Sequence, residues 1–408
     1  MKGDFSRWTF DPRKRFTAVL IQQGRQQVDS DWNEQAVMLE HLERTRFEDV
    51  VGSSAVPDGV GFEVCVGADG APALSAGRIY AGGLLCELDA DTPISRVARR
   101  ALRPEPGRTY LVYLDAWERH VTAIDDPGLV EVALGVAETS TRLQVAWTID
   151  FIEDVGDQGC AEATATMPKQ GLARMTADAP NGYLGTENHL YRVEIHDSGA
   201  LGEATFKWSR HNGSVLFPVE RLAGPKSVRL GRSPVDPQTI SVGDWLEIVG
   251  AEREQLGIAG MFARVEEWSE STREAVLDRD VSEQAAATRP RARQWSHTAG
   301  PTVSVEPSWI ALEAGIRVRF AGYDFRNGDY WTFPARVASQ TVEWPSEAPP
   351  QGVEHRLCPL ALVTWDRAAV ISRCRDCRRA FVPLTEMYAE LNRLRAEVAE
   401  LKSRVTTS

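Results

Sequence analysis

The sequence predicts a mainly β protein, built from antiparallel sandwich and small barrel modules, with an N-terminal helix and a C-terminal coiled-coil helix. Three observations lead there. From Gly61 to Ala380, short apolar or alternating runs are punctuated by glycine and proline, with little helical periodicity. Ahead of that stretch, Asp29 to Val51 keeps a helical spacing. Behind it, Leu384, Met387, Leu391, Leu394, Val398, Leu401 and Val405 recur at alternating spacings of three and four, an a/d seam that an isolated helix has no means of burying. The chain divides on this reading into an arm and docking helix (1–60), a β domain (61–213), a small barrel-like module (214–283), a C-terminal β region (284–380) and a coiled coil (381–408).

Composition bounds the function. The 408 residues are 43% hydrophobic and 25% charged, as in an ordinary globular protein, and the formal charge of −12 disfavours nucleic acid or an anionic membrane as partner. No apolar run approaches the ~20 residues of a spanning helix, so no direct membrane insertion is expected. The start, Met1-Lys2-Gly3-Asp4-Phe5, lacks the apolar core of a secretory signal. Six cysteines in so long a chain do not make a disulfide scaffold. The expectation is a protein made in the cytoplasm and held there until something else releases it.

The first element is a basic, aromatic arm, in which Phe5, Arg7, Trp8, Arg13, Lys14 and Arg15 suit docking on an acidic partner surface, or equally lie on their own domain. In the helix that follows, Asp31 with Glu34 reads as a capping box, and Ala36, Leu39, Leu42 and Val50 as an apolar stripe. Tyr110 to Asp115 is apolar throughout, a strand covered on both faces. Leu190 to His196 alternates, with Tyr191, Val193 and Ile195 on one face. Asn212-Gly213 suits a tight hairpin turn. Runs at Val242–Ile248, Met261–Trp268 and Glu274–Leu277 suggest a small antiparallel barrel or sandwich, and the charged, alanine-rich stretch from Asp280 to Arg293 reads as a linker or exposed loop.

At the carboxy terminus the flanks agree with the seam. Glu390 and Glu397 fall at g, and Arg395 and Lys402 at e, five residues on, so that in a parallel assembly each glutamate faces a basic residue of its neighbour. Self-association is the expectation, against one amphipathic helix folded back on its own domain. Val398 and Val405 at a, with Leu394 and Leu401 at d, lean towards a dimer; Leu384 and Leu391 at a do not.

One constellation has the spacing of metal chemistry. His355-x2-Cys358-x15-Cys374-x2-Cys377 matches the separation of a zinc ribbon, with histidine in the first place. Reduced, partly buried cysteines or a disulfide formed after release explain the same residues. Against zinc, proline follows Cys358 directly and Leu360 to Trp365 reads as a core strand. Cys65, Cys86 and Cys160 are dispersed and read as core residues. His189 and His196, seven apart on one strand, fall on opposite faces. Asp115, Glu118 and His120 read as structural, Glu118-Arg119 as an ion pair or loop contact. Asp89 and Asp91 are too few oxygen ligands for calcium. No phosphate loop, nucleophile elbow or His-Glu-x-x-His helix occurs, and Trp147, Trp208, Trp245 and Trp331 sit in core-like contexts. No enzyme is expected.

Several motifs carry a resemblance. They are Met1-Lys2-Gly3-Asp4-Phe5-Ser6-Arg7, Gln22-Gln23-Gly24-Arg25 and Asp31-Trp32-Asn33-Glu34, then Tyr113 to Arg119, Glu131 to Gly135, Glu187 to His196, Phe206 to Arg210, Gly328 to Trp331 and Pro334 to Arg336. In their order they resemble a poorly characterised family encoded among components of phage-tail-like contractile injection systems, with a departure at His211, where an aspartate is the common form. The resemblance implies a structural part of such a particle, at its baseplate, spike or fibre end, and a trimer by analogy with the symmetry of spikes and fibres. It supplies no catalytic residues. Three readings follow: an assembly component whose partners are itself and other particle proteins, a tip module binding a cell-surface glycan or protein, and an envelope-polymer hydrolase, the first being the one adopted.

Overall fold

The computed structural model describes residues 1–67, 71–102, 104–134, 138–169, 171–233, 240–297, 300, 302–343, 346–366 and 371–406; the side chains of Gln255 and of residues 403–406 lie outside the described set. The protein is mainly β, with two long helices, Asp29–Val51 and Leu384–Thr406. It forms two compact units, each drawn from three stretches of chain. The first comprises Met1–His41, Trp117–Ala146 and Lys169–His355, and the second Leu42–Ala116, Trp147–Pro168 and Arg356–Ser408. This organisation is not the linear series of segments read from the sequence. The reason is long-range pairing: in the second unit, Arg356 to Thr364 pair antiparallel with Ala116 to Thr109, which no local pattern announces.

In the first unit, a five-stranded sheet runs in the order Val303–Ser304, Thr205–Ser209, His189–Asp197, Tyr330–Arg336 and Thr341–Val342. A three-stranded sheet of Ile310–Ala311, Arg317–Ala321 and Arg174–Asp178 shares its core. Tyr191, Val193, Ile195, Phe206, Trp208, Trp331 and Phe333 from the first sheet meet Met175, Val318 and Phe320 from the second, making a β-sandwich. The same unit contains a closed six-stranded barrel in the order Leu216–Gly224, Ser227–Leu230, Glu274–Leu277, Met261–Ser269, Trp245–Val249 and Arg291–Trp295. Phe217, Val228, Leu230, Leu246, Ile248, Ala263, Val265 and Leu277 fill it.

Two local expectations change here. The stretch read as a linker contains a short helix, Ser282–Ala285, and the start of the strand that closes the barrel; Arg291 and Arg293 are 3% and 5% exposed. Charge density misled, because both arginines are buried against carboxylates. Asn212 and Gly213 do turn the chain with positive φ (51° and 64°), a conformation that Asn and Gly adopt most readily. They close no hairpin, however. Thr205–Ser209 pairs within the sandwich and Leu216–Gly224 within the barrel, so the turn passes the chain from one to the other.

The second unit holds most of a sheet ordered Ile371–Asp376, Arg356–Trp365, Thr109–Val121, Arg142–Ile152, whose residues 117–121 and 142–146 belong to the first unit, and all of another ordered Ala380–Phe381, Ser54–Pro57, Gly77–Ala81, Leu84–Leu88. A three-stranded sheet of Val64–Val66, Pro72–Leu74 and Thr92–Pro93 completes it. Tyr110 to Leu114 are buried on both faces, as their unbroken apolarity predicts.

The N-terminal helix departs from its expected caps and face. Its first residue, Asp29, accepts hydrogen bonds from the Ser6 amide (2.8 Å) and hydroxyl (2.6 Å), while the Glu34 carboxylate accepts from the Thr9 hydroxyl rather than turning back on its own helix. Met38 is its buried apolar residue; Leu39 and Val50, placed on the stripe, are 56% and 75% exposed.

Candidate functional site

Within the first unit, strand alternation puts charge where solvent would be expected. Tyr191, Val193 and Ile195 face the sandwich core, so Arg192, Glu194 and His196 face the other way, and Lys207 does the same on its neighbour. On the barrel, Leu246, Ile248 and Ala292 point inward, leaving Glu247, Arg291, Arg293 and Trp295 outside. These outward faces are nonetheless buried against each other: Arg192, Glu194, Lys207 and Glu247 are 2–4% exposed.

The result is one ion network. Lys207 Nζ lies 2.8 and 2.9 Å from the two Glu247 oxygens and 3.3 Å from Glu194 Oε1. Glu194 also takes Arg192 Nε at 2.6 Å and Lys2 Nζ at 3.0 Å. Arg293 and Arg291 hold Glu254 at 3.0 and 3.3 Å, and Arg291 reaches Asp125 at 2.8 Å. Glu247 receives Trp295 Nε1 at 2.8 Å and the Gly260 amide at 2.9 Å as well, which saturates its acceptor capacity. A Cβ on Gly260 would stand 2.6 Å from Glu247 Cγ, so glycine permits that approach. The Arg192 guanidinium stacks 3.7 Å above the Tyr330 ring and donates to the Met1 carbonyl at 2.9 Å.

The electrostatics follow from burial and pairing. Burial pushes the Glu247 carboxyl up, but Lys207 and Lys2 outweigh it and carry it down to about 2. Glu254 reaches about 2 in the same way, through Arg293 and Lys2 against burial. Burial would lower Lys207, yet Glu247 and Glu194 hold it above its ordinary value. His297 is pushed down to about 3 by burial and then by Lys207. Its Nε2 accepts the Trp208 amide at 3.2 Å, which requires the neutral ring with its proton on Nδ1. Every carboxylate in the network is paired with a cation, an arrangement suited to fixing the sandwich on the barrel rather than to moving protons.

Beside this network is a cleft of about 370 Å³ lined by His196, Asp197, Arg253, Gly260, Phe262 and Gln284, among others. His196 and Gln284 are each 8% exposed, and His196 Nδ1 and Gln284 Oε1 have no hydrogen-bond partner. Burial, then Lys207, lowers His196 below its ordinary value and keeps it neutral. His189 lies instead against Tyr191 and His211, so the two histidines do occupy opposite faces. Sequence reading passed over the network and the cleft, although Arg192, Glu194 and His196, recurring at every second position of an otherwise apolar strand, were the available signal.

The docking arm divides. Lys2 enters the ion network, and Phe5 packs edge-on to Trp8 and His120, with centroids 5.1 and 6.0 Å apart. Arg7, Arg13, Lys14 and Arg15 are exposed, followed by Phe16, Leu20 and Ile21 at 57%, 84% and 54%. The predicted seam is helical from Leu384 to Thr406, and every residue from Leu384 to Lys402 is exposed. Leu384, Met387, Leu391, Leu394, Val398 and Leu401 stand 43–73% exposed, while the side chain of Val405 lies outside the described residues. Glu390 contacts Arg393 of its own helix at 2.5 Å, and Arg395, Glu397 and Lys402 flank the seam.

The cysteine cluster is distributed differently from the zinc-ribbon reading. Cys377 is bonded to Cys160, with S–S 2.04 Å and Cα–Cα 5.4 Å, so Cys160 is not the simple core residue it resembled. Cys358 is a buried residue of a central strand, Cys374 is exposed, and His355 packs on Trp117 with centroids 5.3 Å apart. Among the described residues no group of three or more His, Cys, Asp or Glu is placed to hold a metal ion. Asp115 is held by Arg99 at 2.6 Å, and His120 is buried, pushed down to about 3 by that burial. Trp208, Trp245 and Trp331 are buried, while Trp147 packs edge-on to Phe62. No helix among the described residues is long and apolar enough to cross a membrane.

Comparison with known proteins gives a family and no relatives. No curated protein matches the chain, and no solved structure does. Residues 1–182, 169–242 and 275–372 match one family profile, and the chain therefore belongs to the family of unknown function DUF6519.

Proposed function

We propose that this chain is a non-enzymatic structural component of a phage-tail-like contractile injection particle, placed at its baseplate, spike or fibre end and multiplied through its C-terminal helix. The observation that carries the self-assembly is the seam: six large apolar side chains in a/d register on a helix with every described side chain exposed. Burying one leucine is worth about 1.5–3 kcal/mol, so such a seam gains most by meeting its own copies in parallel. Glu390 and Glu397 at g then face Arg395 and Lys402 at e, with Glu390 exchanging its Arg393 contact for an interchain one. The placement in a particle rests on the motif resemblance, and the trimer on symmetry alone. Exposed Arg13, Lys14 and Arg15, with Phe16 behind them, supply a surface for a neighbouring particle protein. A disulfide in the second unit suits a protein that leaves the cytoplasm for an oxidising medium.

Light scattering on the full chain beside a version ending at Pro383 tests the assembly. A trimer or dimer that becomes a monomer on truncation is expected; a monomer in both sinks the self-assembly. For the particle, deletion of the gene is expected to block assembly, and fully assembled, active particles in its absence would refute the placement.

A second reading, recognition of a cell-surface glycan, is favoured by the cleft. His196 Nδ1 and Gln284 Oε1 are buried in its wall without a hydrogen-bond partner, and Asp197, Arg253 and Arg279 line it, so the cleft brings together acceptors and donors. Sugar hydroxyls both donate and accept. Glycan-array binding that is lost in Gln284→Leu would support it, and an array with no signal would end it.

A further inference from the structure

All six cysteines fall in the second unit, which is assembled from three separate stretches of chain. The Cys160–Cys377 bond joins the second stretch to the third. Between the first and the third, another pair of sulfurs is brought together. The Val64–Val66 strand packs on the Ile371–Asp376 strand, and Cys374 Sγ lies 3.6 Å from the Val64 carbonyl oxygen, the peptide group that leads directly into Cys65. Nearby, Arg378 donates to the Gly61 carbonyl and lies 3.7 Å from Glu63. Contacts therefore step forward from Gly61 to Val64 on one segment and back from Arg378 to Cys374 on the other, a course that continues to Cys65. Both thiols are free; Cys374 is exposed and Cys65 half-buried.

We propose that Cys65 and Cys374 form a second disulfide, a modification site that opens when the chain meets an oxidant of the low-molecular-mass disulfide class. Disulfides need Cα atoms about 4.4–6.8 Å apart, a separation that two packed strands can supply. In the first step the exposed Cys374 thiolate attacks a sulfur of oxidised glutathione, forming a mixed disulfide and releasing one glutathione thiolate. The Cys65 thiolate then attacks the Cys374 sulfur, forming the protein disulfide and releasing the second glutathione. Two thiol protons go to solvent and two electrons to the oxidant. Burial, then Asp91, raises the Cys65 thiol above its ordinary value, and burial, then Asp376, raises Cys374, so the reaction accelerates as pH rises towards 9. The other free pair, Cys86 and Cys358, is 0% and 2% exposed, sealed from the oxidant.

The test is peptide mapping by mass spectrometry, without reduction, on the folded full chain after incubation with oxidised glutathione at pH 8. A cross-linked peptide joining Cys65 to Cys374 is expected, with the thiols alkylated after denaturation falling from four to two. Cys65→Ser is expected to leave glutathione trapped on Cys374. Persistent glutathione on Cys374 in the unaltered chain would overturn the proposal, as would exchange of Cys374 into the Cys160–Cys377 bond or no reaction at all.

Discussion

Lys207 is charged while almost wholly removed from water, and its partners decide whether that is tolerable. With Glu247 at 2.8 Å and Glu194 at 3.3 Å the ammonium is compensated; without it, two buried carboxylates lose a shared cation. Lys207→Met is therefore expected to cost about 3–5 kcal/mol, read as a lower denaturation midpoint, because removing one partner strands the other charges. An unchanged midpoint would mean that water already reaches the network. Asp329 presents the opposite case. Burial raises its carboxyl to about 6 from an ordinary 3.8, so the native state holds its proton where the unfolded chain has lost it. Between those values stability falls as pH rises, and at pH 7 the ionised group is a net cost. Asp329→Asn is expected to raise the melting temperature at pH 7, with the gain vanishing below pH 4. A gain that persists in acid would point to packing rather than charge. Both residues lie in motifs that carry the resemblance, but their burial was not legible there, since whether a charged group is solvated, paired or stranded depends on strands distant in the chain.

Elements were legible in proportion to how locally they are specified. The C-terminal helix and the covered strand at Tyr110 follow from spacing and apolarity alone, and so does the opposition of His189 and His196. The barrel was visible in its middle strands but not in its last, because Arg291 and Arg293 look solvent-bound until Asp125 and Glu254 are brought to them. The amino-terminal helix kept its length and lost its face: Leu39 is exposed and Met38 buried, a distinction only tertiary packing makes. The partner of Cys377 lay beyond the reach of spacing for the same reason. Spacing drew Cys377 towards Cys374, whereas the fold puts it against Cys160, 217 positions away. Zinc at the ribbon spacing would require that bond to open first. The seam carries its own prediction. Leu394→Lys is expected to reduce the solution mass to that of a monomer while leaving the melting temperature of the β units unchanged, since this side chain is exposed in the single chain. An unchanged mass would return the helix to some other partner.

On the scale of the whole chain, two chemistries separate. All seven histidines lie in the first unit and all six cysteines in the second. Five of those histidines are held below their ordinary value, burial being the leading cause each time: His120 and His297 at about 3, His211 at about 4, and His189 and His196 downward. A neutral native histidine and a protonatable unfolded one mean that stability falls as pH drops below about 6.5, continuing to the native values. Asp329, Glu138 and Asp244, all raised by burial, work against this and are outnumbered; Glu247 and Glu254, at about 2, add their loss only below the ordinary carboxylate range. Acid near pH 5 should therefore act on the first unit, whereas loss of the disulfide should act on the second, by about 2–5 kcal/mol. Separate probes exist. Nine of the eleven described tryptophans belong to the first unit, so intrinsic fluorescence reports chiefly on it, while labelling of the buried Cys86 and Cys358 thiols reports on the second. Going from pH 7 to pH 5 is expected to lower the fluorescence midpoint. The double variant Cys160→Ser, Cys377→Ser is expected to lower the temperature of thiol exposure and leave fluorescence in place. Were acid to move both signals equally, the buried histidines would not be the groups through which it acts.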